Sequence, residues 1–344
     1  LHVAVLLFMA AVLVTLEKSA KGGMQKFFKY VPAVVLCYLI AMLLCTLGVW
    51  DMAETKPAYS ALKNNLTYAM IFAMLLRCNI RKVLKLGPKM LIGFFSATLT
   101  IMIGFVCAFV LMKGTIGSDA WMGLGALCGS WIGGSGNMVA MQDALPVDPG
   151  AYACALTLNT VCYSVWIALL IFMVRYSSKW DKSVKADTSK LSAIADVANE
   201  EVEKEKKAKA TSGDWVWMIG LALIVSALSQ WVGAKMGAGF AGMGLKMFDK
   251  GTCTTLFVTV LGLVCAMTPL GKLPAANELS SVLLYAVVAL LATQAPLNAL
   301  IEAPMWVVYG VFILVLHVVG MYILSKLFHW DLCMVSTASV ANIG

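Results

Sequence analysis

Apolar runs of 15 to 25 residues recur along almost the whole chain, separated by short polar passages. A helix needs about 20 such residues to cross the hydrocarbon of a bilayer. Charge agrees: only 13% of the 344 residues are Asp, Glu, Lys or Arg, against about 25% in a soluble domain. That is too few to dress a water-facing surface, so lipid must cover much of the chain. The expected fold class is an all-α polytopic membrane protein.

Six apolar segments (2–16, 31–49, 60–76, 90–112, 121–143 and 150–174) precede a charged stretch, 175–214. Five more follow it: 215–233, 253–270, 279–298, 305–325, and 331 to the end. The second set echoes the first. RCNIRKVLKLGPKM leads into the fourth segment and APLNALIEAPM into its counterpart, each ending in a proline, Pro88 or Pro304. GGSGNM (133–138) then lines up with ASVANI (338–343), at Pro-to-Asn distances of 49 and 38 residues. The expectation is an internal duplication: 1–174 the first repeat, 175–214 a charged linker, 215–344 the second repeat. The chain opens at Leu1 and stops at Gly344 inside a motif, so both ends are expected to be truncated, the second repeat C-terminally.

Lysine and arginine set the topology. If segment 121–143 crosses as an ordinary helix, the 26 basic residues divide 12 to 14 between the two faces. If it dips in and returns, they divide 20 against 6. The positive-inside rule prefers the second arrangement, with the linker cytoplasmic. Each half then holds about five crossings plus one broken or re-entrant element. That number is odd, so the second half enters the membrane inverted. A bacterial inner membrane is the expected location.

Residues 129–142, GSWIGGSGNMVAMQ, hold four glycines within eight residues. Unwound backbone at membrane depth is tolerated where protein buries it or a watery cavity solvates it. Its free NH groups suit an anion and its carbonyls a cation. Ser130, Gly133, Gly134, Ser135, Gly136 and Asn137 are therefore candidate substrate or ion ligands, with Ser336, Thr337, Ser339 and Asn342 from the second half. The bland alternative is tight helix packing through small residues. No lysine follows the glycines as a phosphate loop requires.

GSWIGGSGNMVAMQ, SVANIG and LLRCNIRKVL together resemble the bacterial and chloroplast membrane family known as domain of unknown function 819. The resemblance covers essentially the whole chain. It implies membership of the cation:proton antiporter and anion transporter clan, with its bile-acid, glutamate and 2-hydroxycarboxylate symporters. It further implies an inverted-repeat carrier with crossed broken helices, working as a homodimer by an elevator-like motion. It names no substrate.

Ionisable groups at membrane depth are costly and functional by default. Asp143, Asp148, Glu302, Glu17, Glu278 and Asp331 all read as interfacial, with Asp143 singled out because it closes the motif helix. Asn159, Gln294 and Asn298 are secondary candidates that serve equally as helix–helix hydrogen bonds. His317, alone in an apolar helix, reads as a packing histidine. Ten cysteines show no CxxC and no Cys/His pairing, so no metal site is expected. In the linker, Leu191, Ile194, Val197 and Val202 trace a faint helical stripe within a tether. The net charge of +8 follows from topology, so the expected partners are the bilayer and a small-molecule solute, not nucleic acid.

These features point to secondary active transport of a small solute, an organic anion, coupled to Na⁺ or H⁺. No cofactor is expected beyond Na⁺ as a coupling ion. The alternative is a passive channel with two re-entrant loops. An enzyme is not expected, because no HExxH, GxSxG or paired intramembrane aspartates occur.

Overall fold

The computed structural model describes residues 2–78, 87–116, 119–173, 176–186, 210–245, 248–294 and 303–343. Its regular elements are helical throughout. In the first half they are α1 (His2–Ser19), α2 (Gly22–Tyr30), α3 (Ala33–Thr46), α4 (Met52–Leu75), α5 (Gly87–Ile116), α6 (Ala120–Gly133), α7 (Ser135–Ala144) and α8 (Pro149–Met173). A short helix, α9 (Ser177–Val184), follows in the charged stretch. The second half holds α10 (Ser212–Gly242), α11 (Lys250–Ala266), α12 (Ala276–Ala292), α13 (Ala303–Phe328) and α14 (Leu332–Asn342).

Every expected apolar segment coincides with a helix or, for 121–143, with two. Carboxylates mark several starts by accepting orphan backbone NH groups. Asp51 caps α4, Asp249 caps α11 and Asp331 caps α14, while Thr211 and Asp214 form a capping box on α10. Four helices, α1, α5, α10 and α13, are long and apolar enough on their own to cross a bilayer. Helices α11 and α12 have 17 residues each, slightly short of a perpendicular span. The stripe expected over Leu191–Val202 lies outside the described residues.

Two groups of helices pack together. In one, α10 pairs with α11 and both lean on α4, while α12 leans on α4, α3 and α1. In the other, α5 carries α13, α14 and α6, and α8 packs on α13 and α6. Exchanging the halves maps the first group onto itself. The pair α1–α3 corresponds to α10–α11, and the contacts of α4 with α10 and α11 correspond to those of α12 with α1 and α3. The two central pairs run antiparallel. Thr55, near the start of α4, bonds Gln294, just past the end of α12. Thr100 of α5 lies under Gly320 of α13, and Thr115 bonds Tyr309.

Segment 121–143 is a helical hairpin. The chain breaks at Gly134 (φ 84°, ψ 176°), a conformation open essentially to glycine alone. Helix α7 then folds back along α6. A Cβ at Gly129 would lie 2.6 Å from Met141 Cγ, one at Gly125 would lie 2.6 Å from Leu145 Cδ1, and one at Gly133 would overlap the Asn137 amide. Contacts between residues so far apart in sequence exclude a straight helix. The glycine row lets the two arms approach at backbone distance. Small-residue packing, the bland reading of GSWIGGSG, thus operates here together with the break.

Substituting Gly134→Ala should destabilise the fold by about 1–3 kcal/mol through the forced backbone conformation. Gly129→Leu should part the hairpin arms. Thermal unfolding of detergent-solubilised protein checks both: each midpoint falls, while that of the control Gly114→Ala, where a Cβ meets open space, stays put.

Candidate functional site

The hairpin and α14 enter from opposite ends of the second helix group. At the hairpin's open end, Gly123 of α6 abuts Trp306 at the start of α13 and Ala151 at the start of α8. The start of α14 lies at the other end of α8, beside α9. There Asp181 accepts from Leu332 N at 2.9 Å, Trp180 Nε1 donates to the Trp330 carbonyl at 3.3 Å, and His329 Nδ1 lies 2.6 Å from the Val184 carbonyl.

From those ends the two elements converge on α5 and α8. On α8, Ser130 Oγ of α6 donates to Asn159 Oδ1 at 3.2 Å, and Trp166 Nε1 donates to Ser339 Oγ of α14 at 3.0 Å. On α5, Phe105 stacks edge-on against Trp131 of α6 with centroids 5.3 Å apart, and Thr98 Oγ1 donates to Asn342 Oδ1 at 2.7 Å. Asn159 to Trp166, and Thr98 to Phe105, are each seven residues, so the two tips approach to about 10 Å along either helix axis. Helix α14 also packs directly on α6.

The candidate residues divide. Ser130 is buried, Gly133 is exposed, and Gly134, Ser135 and Asn137 are half-buried around the break. Gly136 is buried where α7 meets α4, with Met74 Sδ 2.6 Å from where its Cβ would stand. On α14, Ser339 and Asn342 are buried and bonded, Ser336 is half-buried, and Thr337 is exposed on the opposite side. The Asn342 amide is fully engaged, for its nitrogen donates to the carbonyls of Phe94 (3.3 Å) and Ala338 (2.9 Å). These bonds dock α14 on α5. Positions aligned in GGSGNM and ASVANI therefore differ in backbone: Asn137 follows the break, whereas Asn342 sits in the last turn of α14. Ser339 stands where the first half has Gly134, and α14 continues as helix through it.

The other candidates lie elsewhere. Gln294 Nε2 donates to Thr55 Oγ1 at 2.8 Å and fastens α12 to α4, away from both tips. Asn298 lies outside the described residues.

Asp143, expected at the interface, is largely enclosed by protein at the base of the hairpin. Its side chain is 11% exposed, and Oδ1 lies 2.9 Å from the Lys63 ammonium, itself 10% exposed. Tyr68 OH donates to Oδ2. This buried pair ties α7 to α4 at the hairpin's open end. Lys63 was legible as a lone lysine three residues inside the run 60–76. His317 also proves more than a packing residue, since its ring joins Thr100 of α5 to Ser339 of α14.

Residues 4–344 match the family described as protein of unknown function (DUF819), and the chain belongs to that family. It is also 26% identical over 179 residues to a protein of Bacillus subtilis (strain 168) described as uncharacterized membrane protein YjcL. That alignment spans 48% of this chain and 43% of the relative, so less than half of either is matched. No solved structure matches. Together with the four apolar helices, the relative makes this an integral membrane protein.

Removing one member of a buried ion pair strands the other charge, at about 3–5 kcal/mol. Lys63→Met or Asp143→Asn alone should therefore lower the thermal midpoint sharply. The double variant Lys63→Met/Asp143→Asn should recover most of that loss, and a loss equal to the sum of the singles would show that the two groups act independently.

Proposed function

We propose that this member of the DUF819 family is a secondary active transporter of a small solute, with an organic anion as the fitting class, driven by a Na⁺ or H⁺ gradient. The observation that carries the reading is the convergence of the Gly134 hairpin and α14 from opposite ends onto the same two helices. Unwound backbone belongs in a membrane protein where it lines a site, and substrate sites of carriers lie where two repeats meet. The exchange-symmetric packing and the antiparallel pairs α4–α12 and α5–α13 support two inverted repeats. The first-turn NH groups of α7 suit an anionic group, and the carbonyls ending α6 suit a cation.

The same reading puts the linker 175–214 on the cytoplasmic side of an inner membrane and makes the protein a homodimer of the antiporter and anion-transporter type, not an enzyme. Two helix groups of different make-up, one carrying both converging elements, suit a moving unit against a fixed one.

Uptake of radiolabelled carboxylates into proteoliposomes under an imposed Na⁺ or proton gradient tests it. Saturable accumulation above the external concentration is expected, reduced about tenfold or more by Asn137→Ala or Asn342→Ala, the loss of one well-placed polar contact. Flux that only equilibrates the solute, or variants that transport normally, would overturn the assignment.

A further inference from the structure

His317 lies in the middle of α13 and is 1% exposed. Its Nδ1 is 2.8 Å from Thr100 Oγ1 and its Nε2 is 2.9 Å from Ser339 Oγ. The neighbours fix the directions. Thr100 Oγ1 donates its proton to the Ala97 carbonyl at 2.9 Å, so it accepts from Nδ1–H. Trp166 Nε1 donates to Ser339 Oγ, whose own proton is then free to go to the Nε2 lone pair. The neutral ring is thus fully bonded, and the Ser339 proton points inward.

Beside this chain lies an almost wholly apolar cavity of about 80 Å³, walled by Trp166, Leu170, Met321 and Val335, with His317, Ser336 and Ser339 also in the wall and their polar atoms just behind its surface. The Ser336 hydroxyl there is buried and has no partner. Of the residues lining the cavity, His317 alone is ionisable. The groups facing its ring are Thr100 from α5, Trp166 from α8 and Ser339 from α14, none of them charged. Nearby acids are committed elsewhere: Asp181 holds Leu332 N, and Asp331 caps α14 and lies 4.0 Å from Lys89.

An imidazolium in this place would lack a counter-ion, and an unpaired charge at such depth is prohibitive. A carboxylate in the cavity removes the obstacle. With a proton on Nε2, Ser339 Oγ accepts from both Nε2–H and Trp166 Nε1–H, and its own hydroxyl proton swings into the cavity beside that of Ser336. Protonation thereby creates the positive charge and a second hydroxyl donor at once, and each ligand raises the affinity for the other.

We propose that this cavity binds a short apolar monocarboxylate together with one proton, the proton on His317 Nε2 and the carboxylate on the hydroxyls of Ser336 and Ser339. This rests on the carrier reading and specifies it: the solute has a hydrocarbon body, and H⁺ is the coupling ion. At about 10–15 Å³ per water-sized group, the space suits roughly six non-hydrogen atoms, the size of butyrate.

The test is calorimetric titration of the purified full chain with butyrate, about one pH unit below and one above 6.5, the ordinary histidine value, in buffers of different ionisation heat. Affinity should rise as pH falls, with about one proton taken up per butyrate. His317→Gln should weaken binding about tenfold or more and flatten the pH dependence. Val335→Phe, which fills the cavity without touching the ring, should block binding. No binding by the wild type at either pH, binding without proton uptake, or binding indifferent to Val335→Phe would overturn the proposal. The two readings fail separately. Butyrate bound with its proton but not carried into proteoliposomes upholds the cavity and sinks the carrier. Accumulation of another solute, dependent on Asn137, by a chain that ignores butyrate does the reverse.

Discussion

A helix that stops inside an apolar bundle leaves backbone groups that nothing in lipid can satisfy. At Gly134 the protein meets this by folding the chain back on itself. Gly134 N donates to the Ser130 carbonyl at 2.7 Å, and Asn137 N donates to the Gly134 carbonyl at 3.0 Å, so the turn itself satisfies part of the break. The row Gly125, Gly129 and Gly133 lets the arms close to backbone contact. A hairpin that returns to its own end would, under the proposed inverted repeats, give the first half an odd number of passages. The opposite entry of α14 and the antiparallel central pairs accord with that parity.

The docking of α14 differs in kind. The hairpin tip packs by glycine and methionine against α4, whereas α14 is held by side-chain hydrogen bonds. Asn342 bonds α5, and Ser339 bonds α8 and α13. Bonds of this sort are worth about 0.6–2 kcal/mol each in a membrane protein. They are directional and can be exchanged, which apolar contacts cannot.

The Lys63–Asp143 pair fits neither pattern. Two charges taken out of water rarely gain net stability over apolar residues of the same volume, yet here they join the hairpin base to the other helix group. Tyr68 adds a third polar group from α4. The pair specifies how α7 seats on α4, since a slip by one turn would leave both charges buried and unpaired.

The apolar runs by themselves determined the class and the places of most helices, because burial from water acts segment by segment and leaves its length in the sequence. Helices α2 and α9 lie outside those runs. Four glycines around one asparagine likewise announced the break, since no other residue adopts the Gly134 conformation at low cost. What the tertiary structure alone decided was partnership. Lys63 and Asp143 are 80 residues apart, and His317 reaches Thr100 across 217, so no local spacing could pair them. Asn342, expected with Asn137 to face a solute, is bonded to α5 across 244 and 248 residues of chain. Its helix runs unbroken through Ser339, and its amide reaches Thr98 of α5.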